Sequence, residues 1–130
     1  MATWREVVSY LTSNHKVDQS DPTLMKLVFG LEDGRSQMVF VAGLALDDPD
    51  DAIVSFISPF ARTDQLSPQG LVDCMVNNNA LGVAIIGDWY ALKNVAPLAN
   101  LDANEIEWPL AYVTIFADKL ERELNLGDDL

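Results

Sequence analysis

Residues 80–95, ALGVAIIGDWYALKNV, read as two strands joined by a tight turn at Gly87-Asp88. A two-residue turn fixes the register of such a hairpin. It sets Ile86 opposite Trp89 and Ala84 opposite Ala91 on one face, with Val83, Ile85, Tyr90 and Leu92 on the other. Both faces are apolar, so one meets the chain's own core and the other is left for something else. The face with Val83, Ile85, Tyr90 and Leu92 is the better match to a core under a helix. Ile86 and Trp89 are therefore expected on an interaction surface, because exposed aromatic patches on small domains mark contact sites.

An earlier hairpin carries the same kind of signal. LMKLVFGLE and RSQMVFVAGLAL flank Asp33-Gly34, the strongest short-range mark of a type I′ turn. A two-residue loop there pairs Phe29 with Met38, Leu27 with Phe40 and Met25 with Ala42 on a core face. Val28 with Val39, Lys26 with Val41 and Gly30 with Gln37 take the mixed face, as in a sheet wet on one side. Val39 and Val41 thus join Ala84, Ile86, Trp89 and Ala91 as candidate residues for partner or dimer contact.

Helices punctuate these strands. Thr3 and Glu6 form a T-x-x-E capping box ahead of an apolar stripe of Trp4, Val7, Val8 and Leu11, predicting a helix over 4–13. Residues 14–23, NHKVDQSDPT, read as a polar connection. DDPDD (47–51) reads as a turn and AIVSFIS (52–58) as a third strand. Ser67-Pro68 opens a second helix that Asn77-Asn78-Asn79 ends. Asp102 and Glu105 occupy N-cap and N3 positions of a last helix, with Leu101 and Ile106 as its hydrophobic staple. That helix carries an apolar stripe from Ile106 to Leu124 and exposed Asp118–Arg122 and Lys119–Glu123 pairs, and Gly127 ends it. Pro109 should kink it or restart it near Trp108. The predicted order is α-β-β-β-α-β-β-α. It implies one α+β domain over residues 1–130, an antiparallel sheet of about five strands with helices on one side, and an acidic tail near 126–130.

Charge and composition narrow the function. The chain has 130 residues, 49% of them hydrophobic, enough for one real core. Its net charge is −12, and its twenty acidic residues are divided evenly between the two halves, so no separate acidic tail domain stands out. Eight scattered basic residues argue against nucleic-acid binding, which depends on neutralising phosphates. The acidity suits solubility or a partner with a basic segment. No apolar run reaches the length of about 18 residues that suggests a membrane span, and no secretory signal pattern is visible. With Cys74 as the single cysteine, the expectation is a cytoplasmic protein without an internal disulfide.

The element order resembles the type III secretion chaperone-like fold, and more closely the YbjN-like bacterial proteins that share it. The likeness spans nearly the whole chain. It rests on LEDGRSQMVFV (31–41), on NNNALGVAIIGDWYAL (77–92) after a helix, and on VAPLANLDANEIEWPL (95–110) with FADKLERELN (116–125). The resemblance implies a small acidic cytosolic homodimer that binds another protein. In secretion chaperones the second helix and the neighbouring strand usually build the dimer, and an extended client segment wraps apolar patches.

The residues capable of chemistry have simpler explanations. His15 is the only histidine and sits in a polar loop without the cluster a zinc site needs. Cys74 reads as a small core residue. Asp47, Asp48, Asp50 and Asp51 lack the spacing of a calcium loop, and a solvated turn accounts for them. Capping accounts for Asp102 and Glu105, leaving little for an acid/base pair with Glu107. Arg35 can pair with Glu32 across its hairpin. No phosphate loop, dinucleotide fingerprint, zinc-protease motif or nucleophile elbow occurs. The reading is a non-enzymatic, chaperone- or adaptor-like protein-binding domain without cofactor or metal. It would bury an apolar client segment as a homodimer, with acidic residues attracting basic flanks. The alternative is a small-molecule-binding or regulatory domain with a pocket between the sheet and the C-terminal helix.

Overall fold

The computed structural model describes residues 3–48, 50–76, 82–99 and 101–124. The expected stops at Asn77-Asn78-Asn79 and Gly127, and the tail 126–130, lie outside them. Helix α1 spans Trp4–Asn14. The Thr3 hydroxyl accepts from the Glu6 backbone N–H at 3.2 Å, the N-cap half of the expected box, while the Glu6 carboxylate accepts from the Thr3 hydroxyl at 3.0 Å rather than from the Thr3 backbone N–H. The stripe works as the spacing requires: Val7 and Leu11 are fully buried. Trp4 covers Gly43, where an added Cβ would lie 2.9 Å from the indole, and its N–H donates to the Pro22 carbonyl.

Six strands form one antiparallel sheet: β1 (Val17–Asp21), β2 (Leu24–Gly30), β3 (Ser36–Leu44), β4 (Ile53–Arg62), β5 (Gly82–Ile86) and β6 (Trp89–Pro97), in the order β1-β2-β3-β4-β6-β5. β1 corrects the expectation of a bare polar connection and of about five strands. Its sequence, VDQSD, has no buried alternation to announce it. Pairing with β2 makes it a strand, with Val17 opposite Leu27 and Asp18 opposite Lys26.

The first hairpin differs from its expected register by one residue. The Leu31 N–H donates to the Arg35 carbonyl at 2.7 Å and closes a three-residue loop, in which Asp33 and Gly34 have φ of 62° and 72°. The pairs are therefore Met25 with Val41, Leu27 with Val39 and Phe29 with Gln37. A slip of one residue exchanges the faces of a strand. Val39 and Val41 enter the core, fully buried, while Met38, Phe40 and Ala42 turn to the opposite face. At Gly87-Asp88 the two-residue turn holds, and Ile86–Trp89, Ile85–Tyr90 and Ala84–Ala91 pair as read from the sequence.

The helices α1, α2 (Pro68–Met75) and α3 (Ala103–Glu123) share one side of the sheet. One apolar cluster joins Val7 and Leu11 to Met25, Leu27, Val39, Val41, Phe56 and the α3 residues Ile106, Leu110 and Val113. A second joins Phe60, Tyr90 and Leu92 to Ala117 and Leu120, with Leu71, Cys74 and Met75 of α2 against it. Ser67 caps α2 and Asp102 caps α3, each side-chain oxygen accepting a backbone N–H three residues on. α3 runs as one helix from Ala103 to Glu123 with Pro109 inside it, so it does not restart near Trp108. Pro59 is tolerated in a central strand because the β4–β6 register shifts between Pro59 and Ala61. Buried Gln37 braces that irregularity, donating through Nε2 to the Ser58 hydroxyl and the Pro59 carbonyl.

Arg35 does not pair with Glu32. Its side chain crosses to α3, where Nε donates to Asp118 at 2.7 Å and a terminal nitrogen to Glu121 at 3.0 Å. Arg122 holds the other Asp118 oxygen at 2.8 Å, so the Asp118–Arg122 pair expected on the surface belongs to a mostly buried cluster. Lys119–Glu123, at 3.7 Å, is the exposed pair expected. Removing one member of a buried ion cluster leaves the others unpaired and costs several kcal/mol. Arg35→Met should lower unfolding free energy by about 3 kcal/mol in urea titration, and Glu32→Gln should change it little. Equal small effects would mean that the cluster does not hold β3 to α3.

Candidate functional site

With the three helices of the described residues on one side, the opposite face of the sheet carries no helix among those residues. Strands β2 to β6 contain no Asp or Glu, and their only charged residues are Lys26, Arg62 and Lys93. Alternation and register place all three on the helix-free face. One transverse row crosses the whole sheet there: Asp18, Lys26, Phe40, Ile57, Lys93 and Gly82, each opposite the next. Beside it lie Val28 with Met38, and Pro59 with Ala91 and Ala84. The face is apolar in its middle and carries lysines, in a chain whose net charge is −12.

The sequence-predicted contact residues divide by strand. Ala84, Ile86, Trp89 and Ala91 are on this face, although Ala91 is fully covered by its neighbours. Trp89 is half-buried, with the Arg62 guanidinium 5.9 Å from its ring centroid. Val39 and Val41 are a correction: they lie in the core, and Met38 and Phe40 hold the corresponding outward places. The signal that could have placed them is loop length, since Asp-Gly also fits a three-residue loop that uses positive φ twice.

The two sheet edges differ. β1 carries Asp18 and Asp21, and its register is irregular between them; these are devices that discourage further strand pairing. β5, GVAII, has no charge, no proline and apolar side chains on both faces. Ile85 is 67% exposed on the helix side, and Ile86 is exposed on the other. On α2, Val72 and Val76 are 61% and 69% exposed. Five of the ten exposed large apolar side chains among the described residues are on α2 and β5; the others are Val28, Leu44, Val95, Trp108 and Ile115.

The remaining candidates are held by local structure. His15 is not a free surface histidine: its Nε2 lies 2.7 Å from a Glu107 oxygen, and its ring meets Phe29 edge-on. Tyr10 donates to the same oxygen at 2.8 Å, and this bond to the carboxylate is the main reason its phenol titrates above the ordinary value. The three side chains tie the end of α1 to α3. Asp102 is occupied as a cap, and Glu107 faces Tyr10 and His15 rather than an acid/base partner. Asp48 accepts the Asp50 N–H in the 47–51 turn. Among the described residues, no group of three or more His, Cys, Asp or Glu side chains is placed to hold a metal, and no helix is long and apolar enough to cross a membrane. A cleft of about 390 Å³ lies between β6 and α3, lined by Asn94, Ala96, Asn104, Glu105, Trp108 and Pro109. A second, of about 380 Å³, lies on the helix-free face at the β1–β2 edge, lined by Lys16, Val17, Asp18, Lys26 and Val28.

Cys74 is half-buried against the second core cluster, and its thiol donates to the Leu71 carbonyl at 3.1 Å. Burial raises its pKa above the ordinary 9.0, which opposes thiolate formation. Iodoacetamide should modify Cys74 more slowly than free cysteine at about pH 8, with the rate climbing only at more alkaline pH. Modification at the rate of free cysteine or faster would reveal an activated thiol. No family model and no curated protein matches this chain.

Proposed function

We propose that this chain is a non-enzymatic protein-binding domain, chaperone- or adaptor-like and related to the YbjN-like group. It works as a homodimer in the cytoplasm. The observation that carries the reading is the β5 edge, unpaired among the described residues and apolar on both faces, together with the exposed Val72 and Val76 of α2. Such an edge offers a row of unpaired backbone groups to another strand. Two copies meeting there through a two-fold axis would pair β5 with β5 and bury both valine patches, an isologous contact that closes on itself. The helix-free sheet face then remains for a client segment, whose apolar side chains would be desolvated against Met38, Phe40 and Ile57.

A second reading has one observation in its favour. The cleft between β6 and α3 brings Asn94, Asn104 and Glu105 to an apolar floor of Ala96, Trp108 and Pro109. A few polar groups converging on an apolar concavity is the usual form of a small-molecule site. In that reading the chain is a ligand-binding or regulatory domain.

The dimer is the sharper test. Sedimentation equilibrium at micromolar concentration should give twice the 14.3 kDa chain mass. Ile85→Lys, which places a charge on the open edge, should return the chain to 14.3 kDa with its circular dichroism and unfolding cooperativity retained. A wild-type monomer across the micromolar range would overturn the proposal, and so would a dimer indifferent to Ile85→Lys.

A further inference from the structure

We infer that the partner segment taken by the helix-free sheet face carries carboxylates beside its apolar residues. This rests on the protein-binding reading above and reverses the polarity that the overall acidity suggests. The excess of negative charge lies elsewhere, because β2 to β6 contribute no acidic side chain at all. Acidic residues at this face belong to the edge strand β1, where the Asp21 carboxylate is taken by the Thr23 N–H and hydroxyl.

Two lysines mark the face. Lys26 and Lys93 stand in one transverse row with Phe40 and Ile57 between them. Neither makes an ion pair among the described residues, nor do Arg5 and Lys16, whereas Arg35, Arg62, Lys119 and Arg122 all do. Asp18 is the one carboxylate opposite either lysine in the row, and it does not come within ion-pair distance of Lys26; Lys93 has Ile57 and Gly82 as its row neighbours. Three interstrand steps separate the two lysines, about 14 Å at roughly 4.8 Å per step. An extended segment crossing the strands spans about 13 Å over four residues and points residues i, i+2 and i+4 to one side. Carboxylates at i and i+4 would therefore reach Lys26 and Lys93 while an apolar residue at i+2 lies on Phe40 and Ile57. At the Lys26 end, the cleft brings Lys16 and Lys26 beside Val17 and Val28, with Asp18 as its single carboxylate.

The test uses the full chain, isotope-labelled, and a capped seven-residue peptide of alanine with aspartate at its second and sixth positions and leucine at its fourth. Amide shifts in NMR should map to β2, β3, β4 and β6 around the lysine row. Replacing both aspartates by asparagine should weaken binding about fivefold to tenfold, an effect that fades with added salt. Lys26→Glu with Lys93→Glu should lose the aspartate peptide and gain its lysine counterpart. Because both side chains lie on the solvent side of the sheet, retained amide dispersion confirms that the variant is folded. Equal binding of aspartate and asparagine peptides on this face would overturn the charge inference and leave the protein-binding reading standing. Preference of the wild type for the lysine peptide would also overturn it, in favour of a basic client. If no peptide shifts this face at millimolar concentration, both the inference and the assignment of the face to a client fail, whatever the dimer measurement shows.

Discussion

Arg35 reaches from the start of β3 across to Asp118 and Glu121 on α3, and this contact ties the register of the sheet to the layer of helices above it. Arg35, Gln37, Val39 and Val41 alternate onto the helix side in one register only. Slipping β3 by one residue would carry Arg35 to the solvent face and take its guanidinium away from Asp118 and Glu121, 12% and 2% exposed, leaving Asp118 to Arg122. It would also trade Val39 and Val41 for Met38, Phe40 and Ala42 beneath α1 and α3. The ionic contact and the apolar packing therefore select the same arrangement. Their agreement matters more than the strength of either, because a buried ion pair specifies position better than it stabilises.

The composition of the free face follows from that choice. Once Val39 and Val41 are inside, the outward side of the sheet holds Phe40, Met38 and Ile57, and strands β2 to β6 supply only basic charge to it, the strand aspartates being confined to the edge strand β1. The acidic residues among those described are on helices and their caps, in turns and on the edge strand β1. The molecule is thus electrically two-sided, although its summed charge hides this. It is also asymmetric along the sheet: one edge is guarded by aspartates and an irregular register, and the other is bare and apolar.

Local signals in the sequence carried most of the fold. The caps at Thr3, Ser67 and Asp102, the apolar stripes of α1 and α3 and the turn at Gly87-Asp88 are short-range features, and each stands as its residues indicate. The misses all depend on distant parts of the chain. β1 is a strand because β2 offers it an edge, which VDQSD alone does not announce. Asp33-Gly34 favours a turn with positive φ, but what surrounds the turn chooses between two and three loop residues. Arg35 had a plausible neighbour in Glu32, and its partners lie 83 and 86 residues away. Of the candidate site, Ile86 and Trp89 were legible because their hairpin is local. Val39 and Val41 were misplaced with their register, and the lysine row was invisible until four strands were laid side by side.

The central claim is that the bare β5 edge is completed by a second copy of the chain. Hydrogen–deuterium exchange of the amides in Gly82–Ile86 reads this directly, because an edge strand has N–H groups that β6 cannot bind. If β5 pairs with its counterpart, those outward amides are protected at high protein concentration and lose protection on dilution, while core amides of β3 and β4 are unaffected. Fast exchange of the outward β5 amides at every concentration would contradict the account.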